Sequence, residues 1–276
     1  MLRGRESGNI EDVRGMGGKG IALGGGGLGM LVVLIAALVC GIDPRQLLDG
    51  TVNLPGGAPQ QQQQPQNQQN RTDEQRKFAA SVLGSTEDVW NKILPQQANR
   101  RYVEPKLVLF TNAVDSACGS ASSSTGPFYC PGDRKLYLDF GFFKDLKNEF
   151  KADGDFAQAY VIAHEVGHHV QNILGTMDQV NRAGNSNQLS VALELQADCY
   201  AGVWAHYANK QGLVEAGDFE EALRAASAVG DDSIQKRAQG YVVPESFTHG
   251  SSRQRIEWFS KGLQSGDMRQ CNTFGR

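Results

Sequence analysis

Three of the five histidines fall within six residues, in the segment Ala163-His164-Glu165-Val166-Gly167-His168-His169. His164 and His168 are four apart, so on a helix they stand on one face, one turn above the other. Two imidazoles placed in this way can each offer a ring nitrogen to one metal ion at about 2.0–2.1 Å. Glu165 follows the first histidine and so stands beside such an ion. There a carboxylate can take a proton from a metal-activated water and return it to a leaving group. Gly167 has no side chain where a substrate or a second backbone must come close. An ordinary amphipathic helix can carry the same five residues, so the rest of the chain has to complete the site.

A catalytic zinc takes three protein ligands and keeps one position open. The third ligand is expected in Glu194-Leu195-Gln196-Ala197-Asp198. Glu194 stands among Val191, Ala192, Leu193 and Leu195, where an unpaired carboxylate would be costly. Asp198 lies one turn further on the same face. With Glu194 on the metal and Asp198 accepting the second N–H of a ligand histidine, both acids are accounted for. The competing reading leaves both acids in solvent.

Helical apolar spacing over residues 155–174 places the histidines on one helix, with Asp153 or Asp155 as its cap and Gly175 as its stop. A second long helix over 189–209 carries the two acids. Shorter helices are expected at 73–83 and 86–93, the latter capped by Ser85 and ended by Pro95. Others open at Asp218, where Glu221 completes a capping-box pair, and at Ser251 or Ser252, running to Gly262. Runs at 106–110 and 135–140 read as strands flanking a Ser/Gly-rich loop. The fold class is α+β: a small sheet and mostly helices, with the two long helices clamping the metal.

Residues 20–42 contain no charge and 30–40 are continuously apolar, long enough for one transmembrane helix. Arg3, Arg5, Arg14 and Lys19 precede it and only Arg45 follows closely. The charge rule then places 1–19 as a cytoplasmic tail and everything after residue 42 outside, with a cleaved signal peptide as the competitor. Residues 43–71, rich in Gln and Pro, read as a disordered linker, which leaves 72–276 as the folded domain. A net charge of −3 with mixed signs gives no indication of nucleic acid. The cysteines form no C-x-x-C pair. Cys40 lies in the apolar segment. Cys118, Cys130, Cys199 and Cys271 suit two disulfides, Cys118 with Cys130 across the Ser/Gly loop and Cys199 with Cys271, or else four free thiols.

The combination His-Glu-Val-Gly-His-His with Glu-Leu-Gln-Ala-Asp resembles the gluzincin metallopeptidases. More narrowly, the chain is similar to the bacterial neutral zinc metallopeptidase family of YpfJ type. The likeness includes the Gln-rich tether, Gly126-Pro127-Phe128-Tyr129-Cys130-Pro131, Tyr137-Leu138-Asp139 and Ser246-Phe247-Thr248-His249-Gly250-Ser251-Ser252. It implies a zincin-like domain binding one Zn2+ through His164, His168 and Glu194, with Glu165 as general base. By analogy to zincins, the strand near 135–139 would be the edge of the sheet and would hold an extended peptide by strand addition. The element around His249, with Arg255-Ile256 after it, is similar to a later element of related membrane zincins. His249, and likewise Tyr241, would then bind substrate or steady an oxyanion, the alternative being a histidine that holds a loop. His169 and His206 are assigned to structure. The expected activity is that of a membrane-anchored zinc endopeptidase at the cell envelope, acting on a peptide or protein substrate. The alternatives are a non-catalytic, zinc-stabilised binding protein and a zinc hydrolase of a non-peptide amide.

Overall fold

The computed structural model describes residues 4–15, 66–184 and 186–275. The chain divides into two units, the larger made of residues 1–14 and 73–276 and the smaller of 15–72. Everything described below lies in the larger unit, except the start of its first helix.

The central sheet has four strands: β1 (Ile10–Asp12), β2 (Lys106–Phe110), β5 (Phe128–Cys130) and β6 (Lys135–Asp139), in the order β1-β2-β6-β5. The first three in that order run parallel, and β5 pairs antiparallel to β6. A separate hairpin, β3 (Ala113–Ser116) with β4 (Gly119–Ser122), occupies the Ser/Gly-rich stretch expected to be a loop. Side chains alternate across a strand, and both faces of this sheet are covered. Leu107, Leu109, Leu136 and Leu138 enter the main core, while Val108, Phe110 and Tyr137 join a second cluster on the opposite face. That double burial is why Lys-Leu-Val-Leu-Phe reads as a nearly continuous apolar run.

Helices supply the rest: α1 (Gln66–Ala98), α2 (Gly141–Asn148), α3 (Asp155–Leu174), α4 (Thr176–Ala183), α5 (Asn187–Lys210), α6 (Asp218–Ala228), α7 (Asp231–Gln239) and α8 (Ser252–Ser265). The α+β expectation is met, with α3, α5, α6 and α8 packed together. Among the described residues, no helix is long and apolar enough to cross a membrane. The proposed span at 20–42, with Cys40, lies outside the described residues.

Several expectations need correction. The two short helices are one, because Gly84-Ser85 is not a break. A Cβ at Gly84 would lie 2.1 Å from the Arg5 carbonyl oxygen, and Ser85 accepts a hydrogen bond from Trp204 Nε1 instead of capping a helix. Residues 66–71, assigned to the linker, are helical. Strand 135–139 is interior and β5 is the edge, since the short return strand after the hairpin covers it. Asp218 and Glu221 form no capping box: Asp218 accepts from the Glu215 N–H, and Glu221 reaches across to the Phe156 N–H.

The largest correction concerns the N-terminus. Residues 4–14 belong to the domain and not to a separate tail, and the domain does not start at residue 72. Glu87 on α1 is only 1% exposed. Its carboxylate receives Ser7 Oγ at 2.5 Å, Asn9 Nδ2 at 2.8 Å and the Arg5 guanidinium at 2.7 Å. β1 and β2 share one sheet and therefore one side of any membrane. A single crossing at 20–42 with the tail opposite the domain is incompatible with that pairing. Deleting residues 1–14 removes β1 from the sheet and uncovers Glu87 and the α1 face beneath it, an expected loss of about 2–4 kcal/mol. Thermal unfolding of the deleted and full-length chains checks this, and equal midpoints would refute it.

Candidate metal centre and cleft

The histidine segment is helical as expected, on α3, which ends at Gly175 in the left-handed conformation. Neither Asp153 nor Asp155 caps it through a side chain; the Glu221 carboxylate from α6 satisfies the free Phe156 N–H instead. Gly167 faces α5, where a Cβ would lie 2.8 Å from the Ala197 carbonyl oxygen. Only glycine lets the two helices approach so closely. That approach brings Glu194 opposite the histidines.

His164 Nε2 lies 3.2 Å from Glu194 Oε2, and His168 Nε2 lies 3.4 Å from Glu194 Oε1. These three residues can place their ligand atoms within 4.8 Å of one another. Each histidine has its other nitrogen occupied. His164 Nδ1–H donates to Asp198 Oδ1 at 2.9 Å, and His168 Nδ1–H donates to Gln171 Oε1 at 2.9 Å. Both Nε2 atoms therefore face the carboxylate, the arrangement that metal-bound histidines use.

Asp198 is completely buried and holds four groups. Besides His164, it accepts from Tyr160 Oη at 2.5 Å and, through both oxygens, from the Arg255 guanidinium at 2.8 and 2.9 Å. Burial opposes its charge, but Arg255 and His164 outweigh that and hold the carboxyl below its usual range. Burial likewise opposes charge on His164, yet Asp198 and Glu194 push its pKa up to about 10. Glu194 is held well below the ordinary carboxylate range by His168 and His164, again against burial. All three directions favour positive charge at the point between His164, His168 and Glu194. Two nitrogens and one oxygen are a donor set that zinc accepts, and no fourth side chain joins this cluster among the described residues. The residues fit a metal with an open position.

A cleft of about 830 Å3 opens beside this cluster and is lined by Glu165, His249, Phe128 and Tyr129, among others. Burial raises the Glu165 pKa, with the neighbouring imidazoles opposing the shift. His249 is half-exposed, and its Nδ1 lies 3.2 Å from Asp231 Oδ1. The other oxygen of Asp231 accepts the backbone N–H groups of Thr248, His249 and Gly250. Tyr241 is exposed and is not among the cleft-lining residues. His206 bonds the Leu263 carbonyl through Nδ1, a structural role as expected. His169 is structural in a more specific sense. Burial pushes its pKa down to about 4, and its neutral ring donates from Nε2 to the Val103 carbonyl while Nδ1 accepts from Tyr129 Oη. It thereby pins the edge strand β5 to the histidine helix.

Both disulfides form as expected, Cys118–Cys130 and Cys199–Cys271. Sequence reasoning missed Tyr160, Gln171 and Asp231, and it gave no partner to Arg255, whose guanidinium is spent on Asp198. For Gln171 a signal existed: it stands three residues after His168, on the same helical face.

A helix carrying His-Glu-x-x-His thus faces a glutamate on a second helix, with a sheet edge beside the same cleft. The family model described as "Putative neutral zinc metallopeptidase" matches residues 2–274, and the chain belongs to that family. It is similar to the uncharacterized protein YpfJ of Escherichia coli K12, 46% identical over 286 residues that span 99% of this chain and 97% of that protein. It also resembles the uncharacterized proteins Mb2605 of Mycobacterium bovis and Rv2575 of Mycobacterium tuberculosis, each 45% identical over 202 residues, 69% of this chain and 67% of theirs. No solved structure matches.

Replacing Asp198 with Asn keeps the shape and removes the charge. Zinc affinity, measured by competition with a chromogenic chelator, is expected to fall about 10–100-fold. Stability should fall by about 3–5 kcal/mol because Arg255 loses its buried counter-charge. Unchanged affinity would contradict the role given to Asp198.

Proposed function

We propose that this chain is a zinc-dependent endopeptidase whose metal is held by His164, His168 and Glu194. The observation that carries this reading is the convergence of those three ligands beside Glu165 in a cleft wide enough for an extended peptide. When bound, zinc would lower the pKa of water to about 7 and polarise the scissile carbonyl. Burial raises the Glu165 pKa, which makes its carboxylate a stronger base, suited to take a proton from the attacking water and pass it to the leaving amine. His249, held by Asp231 on the cleft wall, is suited to donate a hydrogen bond to the developing oxyanion. The free edge of β5 and the preceding Gly126-Pro127 line the same cleft, so the substrate backbone would add there and not at β6.

Attachment to a membrane through residues 20–42 stays part of the proposal. It is now restricted to arrangements in which residues 4–14 and the domain share one side.

The full-length protein should bind one equivalent of zinc and cleave an unstructured peptide. Glu165→Gln should keep the zinc and lose at least about 100-fold in kcat. Zinc binding without cleavage by either form would favour a binding protein, and cleavage unaffected by Glu165→Gln would sink the mechanism. The hydrogen bond that His249 donates to Asp231 raises the His249 pKa against the effect of burial, so the imidazolium persists to higher pH than in a free histidine. Its loss should appear as an alkaline limb of kcat/KM. Asp231→Asn removes the raising partner and should move that limb to lower pH; an unmoved limb would remove His249 from the reaction.

A further inference from the structure

His168 is the one proposed ligand without a carboxylate behind it. What stands there is a chain of amides. His168 Nδ1–H donates to Gln171 Oε1. Gln171 Nε2 donates to the Leu193 carbonyl at 2.7 Å and to Gln196 Oε1 at 3.1 Å. Gln196 Nε2 in turn donates to the Cys271 carbonyl at 2.9 Å. Gln171 is fully buried, Gln196 is nearly so, and Cys271 is closed onto Cys199 in a disulfide.

The direction of this chain is fixed from its far end. A carbonyl oxygen only accepts, so the Cys271 carbonyl turns the NH2 of Gln196 toward itself and leaves Oε1 facing Gln171. Gln171 then directs both N–H groups at Leu193 and Gln196, and its oxygen toward His168. An oxygen at that point requires the proton on Nδ1, which leaves the Nε2 lone pair for the metal. Each link spans a different element: α3 for His168 and Gln171, α5 for Gln196, and the segment after α8 for Cys271. Chains of buried, fully satisfied amides are stiff, because any displaced member leaves a buried polar group without its partner.

We infer that Gln171 and Gln196 are positioning residues that couple the Cys199–Cys271 disulfide to His168, so that the metal site is at full affinity only while that disulfide is closed. Thr273 Oγ1 on the Ala192 carbonyl and the Met268 N–H on Gln97 also hold the C-terminal segment. The disulfide is the covalent tie of Cys271 to α5, at Cys199, one residue beyond Asp198. With it open, the Cys271 carbonyl is held to α5 by the Gln196 hydrogen bond without that covalent tie, and any displacement passes along the amides to the imidazole.

This inference rests on the three-ligand reading of the metal site, and the experiment separates the two. Zinc dissociation constants are measured by chelator competition for the full-length protein, Gln196→Leu, Cys199→Ala/Cys271→Ala and the triple variant. The visible bands of the cobalt-substituted forms are recorded alongside, since they report ligand geometry and not fold stability. Alanine is used because free thiols would themselves bind zinc. The expected result is a loss of about tenfold or more for Gln196→Leu, a similar loss for the cysteine pair, and no further loss in the triple variant. The cobalt bands of Gln196→Leu should shift toward those of the cysteine variant. Full affinity in folded Gln196→Leu overturns the relay, as do losses that simply add in the triple variant. If the cysteine variant fails to fold, the affinity and cobalt bands of Gln196→Leu decide alone. Failure of the unsubstituted protein to bind zinc would overturn the site reading itself.

Discussion

The Asp198 carboxylate is the point on which the site depends. It is completely buried on α5 and receives Tyr160 and His164 from α3 and the Arg255 guanidinium from α8. Three helices therefore meet at one charge. A buried carboxylate is tolerable only with its hydrogen-bonding capacity filled, and here four donors fill it. The requirement runs in both directions. Arg255 would be equally costly without Asp198, so the packing of α8 against α5 and the orientation of a metal ligand are a single condition.

Around this anchor the cleft keeps charges of both signs in close balance. Glu194 and Asp198 face two imidazoles and one guanidinium, and Glu165 is left at the rim with its ionisation discouraged by burial. The mechanical frame is simpler. The close approach at Gly167 sets the distance between the helices, and His169 ties the strand that borders the cleft to the helix that carries the ligands.

The sequence was most legible where one element carried the chemistry. His164, Glu165 and His168 follow from helical periodicity, and Gly175 ends their helix as its type predicts. Glu194 and Asp198 were accessible because acids among apolar neighbours need partners. The partners themselves were less so. Tyr160, Gln171 and Asp231 are ordinary residues in their local context, and only the packing of distant segments gives them a role. Local rules failed in the same way at Gly84-Ser85, which reads as a helix break but serves a neighbouring backbone. The analogy to zincins failed at 135–139, whose outer neighbour is a three-residue strand too short to weigh in a periodicity argument. The first strand was lost because charge around an apolar stretch reads as topology, and nothing in residues 10–12 indicates a parallel partner so far along the chain.

That first strand sets an order of assembly. Ser7 and Glu87 are 80 positions apart, and β1 can join only after β2 exists to receive it. Contacts of such long range are slow to form, since the intervening chain must be closed before they reward it. Until then β2 presents an open parallel edge, and α1 carries a buried-to-be carboxylate still in water. An edge in that state can accept any extended segment, including the same strand of a second molecule. The residues of β1 are thus among the last placed, and they close the sheet against exchange between copies.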